Sequence, residues 1–296
     1  MRFLGLLGIF MQLIRWRNLM IIASCQALFY FLILQKNTSF DFSEHMPFFT
    51  LCFSTLFIAS GGYVINDIYD IECDQINKPN SVYFPNPFSI KFGMRTYAVL
   101  SSFGFLLATW FSLQIGQLLW TLLFAAIILL LYLYSKLFKR IPFLGNLTIA
   151  MLTASNLLVL LLLPIHPKAP TQLLYTFSFF AFAINLIREM VKDLEDAKGD
   201  YNVGMNTLPI VLGQARSIKF ILLLCGIFGY FLIRFLIDDL KNNYWVQFYY
   251  LSFILTPYVY FCYHLFSARH SKQFHRLSSL LKWILIFGLL LITLLC

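Results

Sequence analysis

Acidic side chains are scarce in this 296-residue chain: 13 Asp and Glu stand against 22 Lys and Arg, and only 12% of residues are charged. A soluble domain is about one quarter charged and about 45–50% apolar. Here 60% of residues are hydrophobic and the mean hydropathy is +0.76. That balance excludes an ordinary soluble enzyme, and no separate soluble domain is visible. The 6 cysteines lie far apart, mostly within apolar stretches, and no CxxC pair occurs. A zinc ribbon and a disulfide frame are thereby excluded, and the cysteines read as small buried residues in reduced surroundings. The 5 histidines fall in loops or at the ends of apolar stretches, none paired at metal-ligand spacing, and read as solvated. No small-residue cleavage site follows the apolar stretch after Arg2. Arg15-Trp16-Arg17 comes instead, so residues 1–17 read as an interfacial segment rather than a cleaved leader.

What the chain does contain is a series of apolar stretches, each about as long as a roughly 30 Å hydrocarbon core requires. The predicted fold class is all-α: a polytopic membrane protein forming one domain over residues 1–296. Nine crossings are expected, near 18–35, 47–66, 95–113, 117–135, 145–164, 171–191, 217–237, 246–265 and 279–296. With the N-terminus inside, alternation places 18 of the 22 basic residues on the cytoplasmic side, the asymmetry that orients membrane proteins. Lys36, Lys168, Arg234 and Lys241 remain outside. The net charge of +9 is therefore assigned to topology. The basic residues are scattered among short loops, so no nucleic acid is expected, and no protein partner either. The glycosylation triplets Asn37-Thr38-Ser39 and Asn146-Leu147-Thr148 arise often by chance and carry no weight.

Nine of the 13 acids fall in two places, Asn66-Asp67-Ile68-Tyr69-Asp70-Ile71-Glu72-Cys73-Asp74 and the segment from Glu189 to Asp200. Both follow apolar spans, and both are expected to face the cytoplasm, where they can share one site. Asn66, Asp70 and Asp74 stand at i, i+4 and i+8, which on a helix puts three oxygen-bearing side chains on one face. Lys192, Asp196 and Asp200 repeat the spacing, with Asp193 beside them. Hard divalent ions such as Mg²⁺ take oxygen ligands and are often held by one or two carboxylates together with substrate phosphate. Two such rows facing one another would hold about two Mg²⁺ and, with Lys192 and nearby basic residues, grip a diphosphate. The plainer alternative is a pair of solvated loop faces balanced by local lysines. It suits a single DxxxD better than two rows on one side of a membrane.

Asn66-x-x-x-Asp70-x-x-x-Asp74 followed by Asn77-Lys78-Pro79, with Lys192-Asp193-x-x-Asp196-x-x-Gly199-Asp200 later, resembles the two signature motifs of the UbiA superfamily of intramembrane prenyltransferases. The resemblance implies a bundle of nine transmembrane helices whose central cavity opens to the cytoplasm. It also implies Mg²⁺-dependent transfer of an isoprenoid chain from a polyprenyl diphosphate to a lipid or aromatic acceptor. Asn66, Asp70 and Asp74 would bind the first Mg²⁺ and the diphosphate, and Asp196 and Asp200 the second. Asp67 and Asp193 would assist, and Lys192 would contact diphosphate oxygens. Tyr134-Ser135-Lys136-Leu137-Phe138-Lys139-Arg140 is similar to the family's segment after the fourth span, which brings Tyr134, Lys139 and Arg140 to the pocket mouth. Arg188 and Lys78 are also placed among the groups that bind the diphosphate. Asn156 and Asn185 read as bonding neighbouring helices.

One departure stands out. Many relatives have a basic residue and a glycine soon after Asn-Lys-Pro, whereas this chain continues Asn80-Ser81-Val82-Tyr83-Phe84-Pro85-Asn86-Pro87. A loop cation is therefore missing or supplied by Lys78, Lys91 or Arg95. The second motif is most similar to the branch that alkylates geranylgeranylglyceryl phosphate, where a second anion calls for extra basic residues such as Arg188, Lys139 and Arg140. Two alternatives stay open: prenylation of an aromatic quinone precursor (4-hydroxybenzoate or dihydroxynaphthoate), and a cation-binding membrane protein or transporter without catalysis. A transporter would show matching halves or polar breaks at mid-membrane, and here the polar clusters lie at span ends.

Overall fold

The computed structural model describes residues 2–35, 42–79, 82–164, 170–240 and 243–295. Lys36, the Asn37-Thr38-Ser39 triplet, Asn80 and Ser81 lie outside the described residues, as do His166, Lys168 and Lys241. Among the described residues the chain is helical, with no strand. Among the described residues seven helical stretches are long and apolar enough to cross a membrane: 16–34, 42–69, 90–114, 144–162, 171–202, 214–238 and 271–295. The protein is a multi-pass membrane protein. Trp120–Lys136 is apolar but has only 17 residues. The tyrosine-rich helical stretch over 244–267 is not among the seven.

The chain divides into two compact units, Met1–Lys139 with Ser155–Thr171, and Arg140–Ala154 with Gln172–Cys296. In the first unit α1 (Arg2–Leu13) leads through a tight turn into α2 (Trp16–Leu28), which continues as a π-helical turn over Phe29–Leu34. There follow α3 (Phe42–Tyr69), the short α4 (Ile71–Asn77), α5 (Ile90–Gln114) and α6 (Trp120–Lys136). α3 and α5 form the most extensive helix pairing among the described residues, and small residues make it possible. A Cβ built on Gly104 would lie 2.7 Å from the Ile58 side chain and 3.0 Å from its backbone nitrogen. The Ser54 hydroxyl donates to the Gly104 carbonyl at 2.8 Å. Close backbone approach of this kind replaces the hydrophobic effect as the glue between helices in lipid.

Polar residues inside this unit are spent on helix pairing. The Gln26 amide donates to both the backbone carbonyl and Oδ1 of Asn156, each at 3.0 Å. His45 is 3% exposed, not solvated as its loop-like position predicts. Its Nδ1 lies 3.0 Å from the Tyr30 hydroxyl, and Tyr30 stacks on Phe48 with ring centroids 4.2 Å apart. A histidine enclosed by aromatic rings with a phenol partner can leave water without losing its hydrogen bond. At the other end of α3, Leu13, Val64 and Phe84 form a core joined by Phe10, Ile14, Ile68 and Tyr83. The loop that lacks a cation is thus anchored by Phe84, which is 1% exposed.

The second unit contains the start of α7 (Leu144–Leu158), α8 (Thr171–Asn202), α9 (Leu208–Leu212) and α10 (Gln214–Asp238). It closes with α11 (Tyr244–Tyr250), a π-helical turn, α12 (Thr256–Ser267) and α13 (Ser271–Leu295). α10 and α12 are tied by the Tyr258 hydroxyl, which donates to the Cys225 carbonyl at 2.6 Å. Tyr250 does the same to Leu232 at 3.0 Å. Asn185 bonds the Ala181 carbonyl of its own helix at 2.9 Å rather than a neighbouring helix. α8 matters most for the site. Its 32 residues extend about 48 Å at 1.5 Å per residue, well beyond a roughly 30 Å apolar core. The predicted crossing stops at 191, but the backbone ladder carries the helix on through the acidic row.

Candidate active site

The first row sits where α3 gives way to α4. Asp70 occupies the junction with φ −93° and ψ 0°, in the sparsely populated bridge between the helical and extended regions. The i to i−4 bonds nonetheless run through it. Asp70 N–H donates to Asn66 O at 3.0 Å, Asp74 N–H to Asp70 O at 2.8 Å, and Lys78 N–H to Asp74 O at 2.7 Å. Asn66, Asp70 and Asp74 therefore keep the helical spacing that the sequence predicts. Asn66 Nδ2 donates to Asp70 Oδ2 at 2.7 Å, and Lys139 Nζ donates to that same oxygen.

Two groups in this row lack what burial demands. The Oδ1 of Asn66 is buried without a hydrogen-bond partner, a state that costs about 1–3 kcal/mol. Asp74 is raised to about 6, first because burial penalises its charge and then because Asp70 is near; Lys139 and Lys78 oppose the rise. The Lys139 ammonium would be pushed down by burial, but Asp70, Tyr134 and Asp74 more than offset this and hold it well above the ordinary lysine value. Among the described residues no three His, Cys, Asp or Glu side chains converge on one point. Lysine supplies positive charge to Asp70 instead. The donors left over, an amide oxygen and carboxylates, are hard oxygen ligands that suit a divalent cation such as Mg²⁺.

Sequence reasoning missed Arg15. It sits in the turn between α1 and α2 at φ 53° and ψ 51°, the left-handed region that a residue with a side chain seldom enters. That turn brings its Nη2 to 2.7 Å from Asp67 Oδ1 and its guanidinium to 5.0 Å from the centre of the Tyr63 ring. Burial lowers the arginine, but Asp67 and Tyr63 outweigh it and the net shift is upward. Asp67 is 9% exposed and Arg15's side chain 37%. The only sequence signal was a basic pair before the first span, which topology alone accounts for.

The second row rides on α8. Lys192 Nζ reaches back to Glu189 Oε1 at 2.8 Å, and Arg188 Nη1 donates to the same oxygen at 2.9 Å. Glu189 thus gathers two of the predicted cations, a role its place in the acidic stretch did not reveal. Asp193 Oδ2 accepts from Asn146 Nδ2 at 2.9 Å. Asp200, 2% exposed, accepts from the Thr207 hydroxyl at 3.1 Å. Glu195 is bound to His275 Nδ1 at 2.9 Å, which ties α8 to α13. Asp196 is half-buried on the same helix. Of the remaining predicted residues, Tyr134 and Lys78 are half-buried, while Arg140 is exposed and its carbonyl accepts from Asn206 N–H at 3.3 Å.

Comparison with known proteins places these rows in context. The model of the UbiA prenyltransferase family matches residues 24–293. Digeranylgeranylglyceryl phosphate synthase of Pyrococcus horikoshii is 33% identical over 183 residues, covering 60% of this chain and 59% of that protein. The Sulfolobus acidocaldarius protein of the same name is 35% identical over 164 residues, covering 54% and 55%. The matches thus span a little over half the length of these relatives. A solved structure concerned with digeranylgeranylglyceryl phosphate synthase in membranes superposes with a TM-score of 0.66 at 26% identity, over 97% of both chains. A UbiA homolog from Archaeoglobus fulgidus bound to GPP and Mg²⁺ shares the fold, with a TM-score of 0.60 at 16% identity over 96% of this chain and 99% of that one. Matched over nearly its whole length, with both acidic rows inside the matched region, this chain belongs to the UbiA prenyltransferase family.

Proposed function

We propose that this protein transfers a polyprenyl group, best a geranylgeranyl group, from its diphosphate to geranylgeranylglyceryl phosphate. The observation that carries the reading is the first acidic row, where Asn66 and Asp70 are locked together, Asn66 Oδ1 is left buried and bare, and Lys139 stands on the carboxylate. Family membership and relatives named for that synthesis support it. Asn66, Asp70 and Asp74 would hold one Mg²⁺, and Asp196 and Asp200 a second, with Asp67 and Asp193 assisting. Bound Mg²⁺ supplies positive charge to the leaving diphosphate, which lowers the barrier to breaking the carbon–oxygen bond. Lys139, Lys192, Lys78, Arg140 and Tyr134 would donate hydrogen bonds to diphosphate oxygens, adding charge stabilisation that grows as the bond breaks. The Glu189 carboxylate holds the Lys192 ammonium at 2.8 Å.

The reading also places the chain in a cell membrane as one domain of nine crossings, with the N-terminus and the cavity mouth toward the cytoplasm. The distribution of Lys and Arg supports that orientation. The test is transfer from labelled geranylgeranyl diphosphate by the purified full chain, with geranylgeranylglyceryl phosphate and 4-hydroxybenzoate offered in parallel. Mg²⁺-dependent product with the glyceryl phosphate, lost in Asp70→Ala and Asp196→Ala, is the expected result. Product with the aromatic acid alone, or product that survives both substitutions, overturns it.

A further inference from the structure

α8 carries a second basic feature on the apolar side of its acidic row. Arg188 lies in the last turn of the predicted crossing 171–191, at its cytoplasmic end, and its side chain is 21% exposed. Its Nη1 is committed to Glu189, but its Nε–H is buried with no hydrogen-bond partner. In a guanidinium the Nε–H points the same way as an N–H of Nη2, and that pair of donors matches two oxygens of a phosphate. The Glu189 bond at Nη1 leaves this edge unused. A buried Nε–H without a partner, on a guanidinium whose Nη1 is already held by Glu189, is a donor suited to an anion.

Position along the helix decides which anion. Arg188 precedes Asp196 and Asp200 by 8 and 12 residues on one uninterrupted helix, separations of about 12 and 18 Å at 1.5 Å per residue. Long helical side chains lean toward the N-terminus, so the guanidinium is carried farther still from the carboxylates. A diphosphate bound at Asp196 and Asp200 does not extend that far. Lys192, midway between, is the α8 cation placed for the diphosphate. We propose that Arg188 recognises the phosphate monoester of the acceptor rather than the leaving diphosphate, with Glu189 as the positioning residue that fixes its open edge. This inference rests on the transfer reaction proposed above and names the group that selects the acceptor.

The experiment compares two acceptors, geranylgeranylglyceryl phosphate and geranylgeranylglycerol without its phosphate, in the full chain and in Arg188→Gln, Arg188→Lys and Glu189→Gln. A charge-assisted hydrogen bond is worth about tenfold or more in binding. Arg188→Gln is therefore expected to raise KM for the phosphorylated acceptor by about tenfold or more. KM for geranylgeranyl diphosphate should stay within about twofold, and the preference for the phosphorylated acceptor should disappear. Arg188→Lys keeps charge without the fork and falls between. Glu189→Gln shifts acceptor KM in the same direction by less and, because it also frees Lys192, raises KM for the prenyl diphosphate as well, which Arg188→Gln does not. If Arg188→Gln is poorly folded, Arg188→Lys with retained preference and unchanged acceptor KM overturns the proposal. In Arg188→Gln, a rise in KM for the prenyl diphosphate as large as that for the acceptor also overturns it. A wild-type chain that prenylates neither glycerolipid refutes the transfer reading itself, a result distinct from an active enzyme indifferent to Arg188.

Discussion

Replacing Arg15 with glutamine removes the positive partner of a carboxylate that is 9% exposed while leaving the carboxylate in place. Breaking a fully buried ion pair from one side costs about 3–5 kcal/mol, whereas an exposed pair is worth about 0.2–1 kcal/mol. Arg15 is 37% exposed, so solvent screens part of the loss and the expected destabilisation is about 1–3 kcal/mol. Loss of the guanidinium from the Tyr63 ring contributes about 0.5–1 kcal/mol of that. Asp67→Asn alone removes the charge that needed a partner and costs less. The double variant recovers part of the Arg15→Gln loss, because neither charge is then stranded. The measurement is a double-mutant cycle on thermal unfolding of the detergent-purified chain, repeated with Arg15→Lys. A coupling below about 0.5 kcal/mol, the level at which independent sites add, would refute the ion pair and with it the left-handed turn that creates it.

Other outcomes follow from the same structure. Because Asp74 is raised from 3.8 to about 6, it keeps its proton in the folded metal-free chain at pH values where the unfolded chain has lost it. Its contribution to stability is therefore fully present below about 4 and is lost as the pH rises through about 6. Asp74→Asn should accordingly stabilise the metal-free chain at pH 7 to 8 and leave it unchanged near pH 4, as read by thermal unfolding across pH. Mg²⁺ requires the ionised carboxylate, so its affinity in the wild type should climb as the pH passes about 6, checked by titration calorimetry. Gly104→Leu places a side chain where a Cβ already meets Ile58 at 2.7 Å. Overpacking of this kind costs about 1–3 kcal/mol, read as a lower melting temperature, and Gly104→Ala, whose Cβ is itself the clashing atom, should lower it as well, though by less.

Legibility in the sequence followed locality. Asn66, Asp70 and Asp74 could be placed on one face because helix periodicity is a property of neighbouring residues, and it survived the non-helical dihedrals of Asp70. The α8 row was visible for the same reason, although the crossing was ended at 191 because hydropathy falls there. Hydropathy marks where lipid stops and not where a backbone ladder stops, and the helix runs to Asn202. Arg15 and Glu189 were invisible in role. Arg15 meets an acid 52 positions away only through an unusual turn that no glycine or asparagine announces. Glu189 was counted as one more acid, when its meaning lies in which two cations it faces. His45 was misjudged since its partners Tyr30 and Phe31 gather around it only after folding.

Since α8 bears Arg188, Lys192 and the carboxylates on a single uninterrupted ladder, the gaps between them behave like marks on a ruler. Inserting one alanine between Lys192 and Asp196 would swing everything beyond it by about 100°, scattering the carboxylates around the rod. Inserting four would return them close to their original bearing but about 6 Å farther along. Under the proposed function, the distance between the two anionic groups that α8 would grip is thus a matter of helical pitch, adjustable only in steps of whole turns.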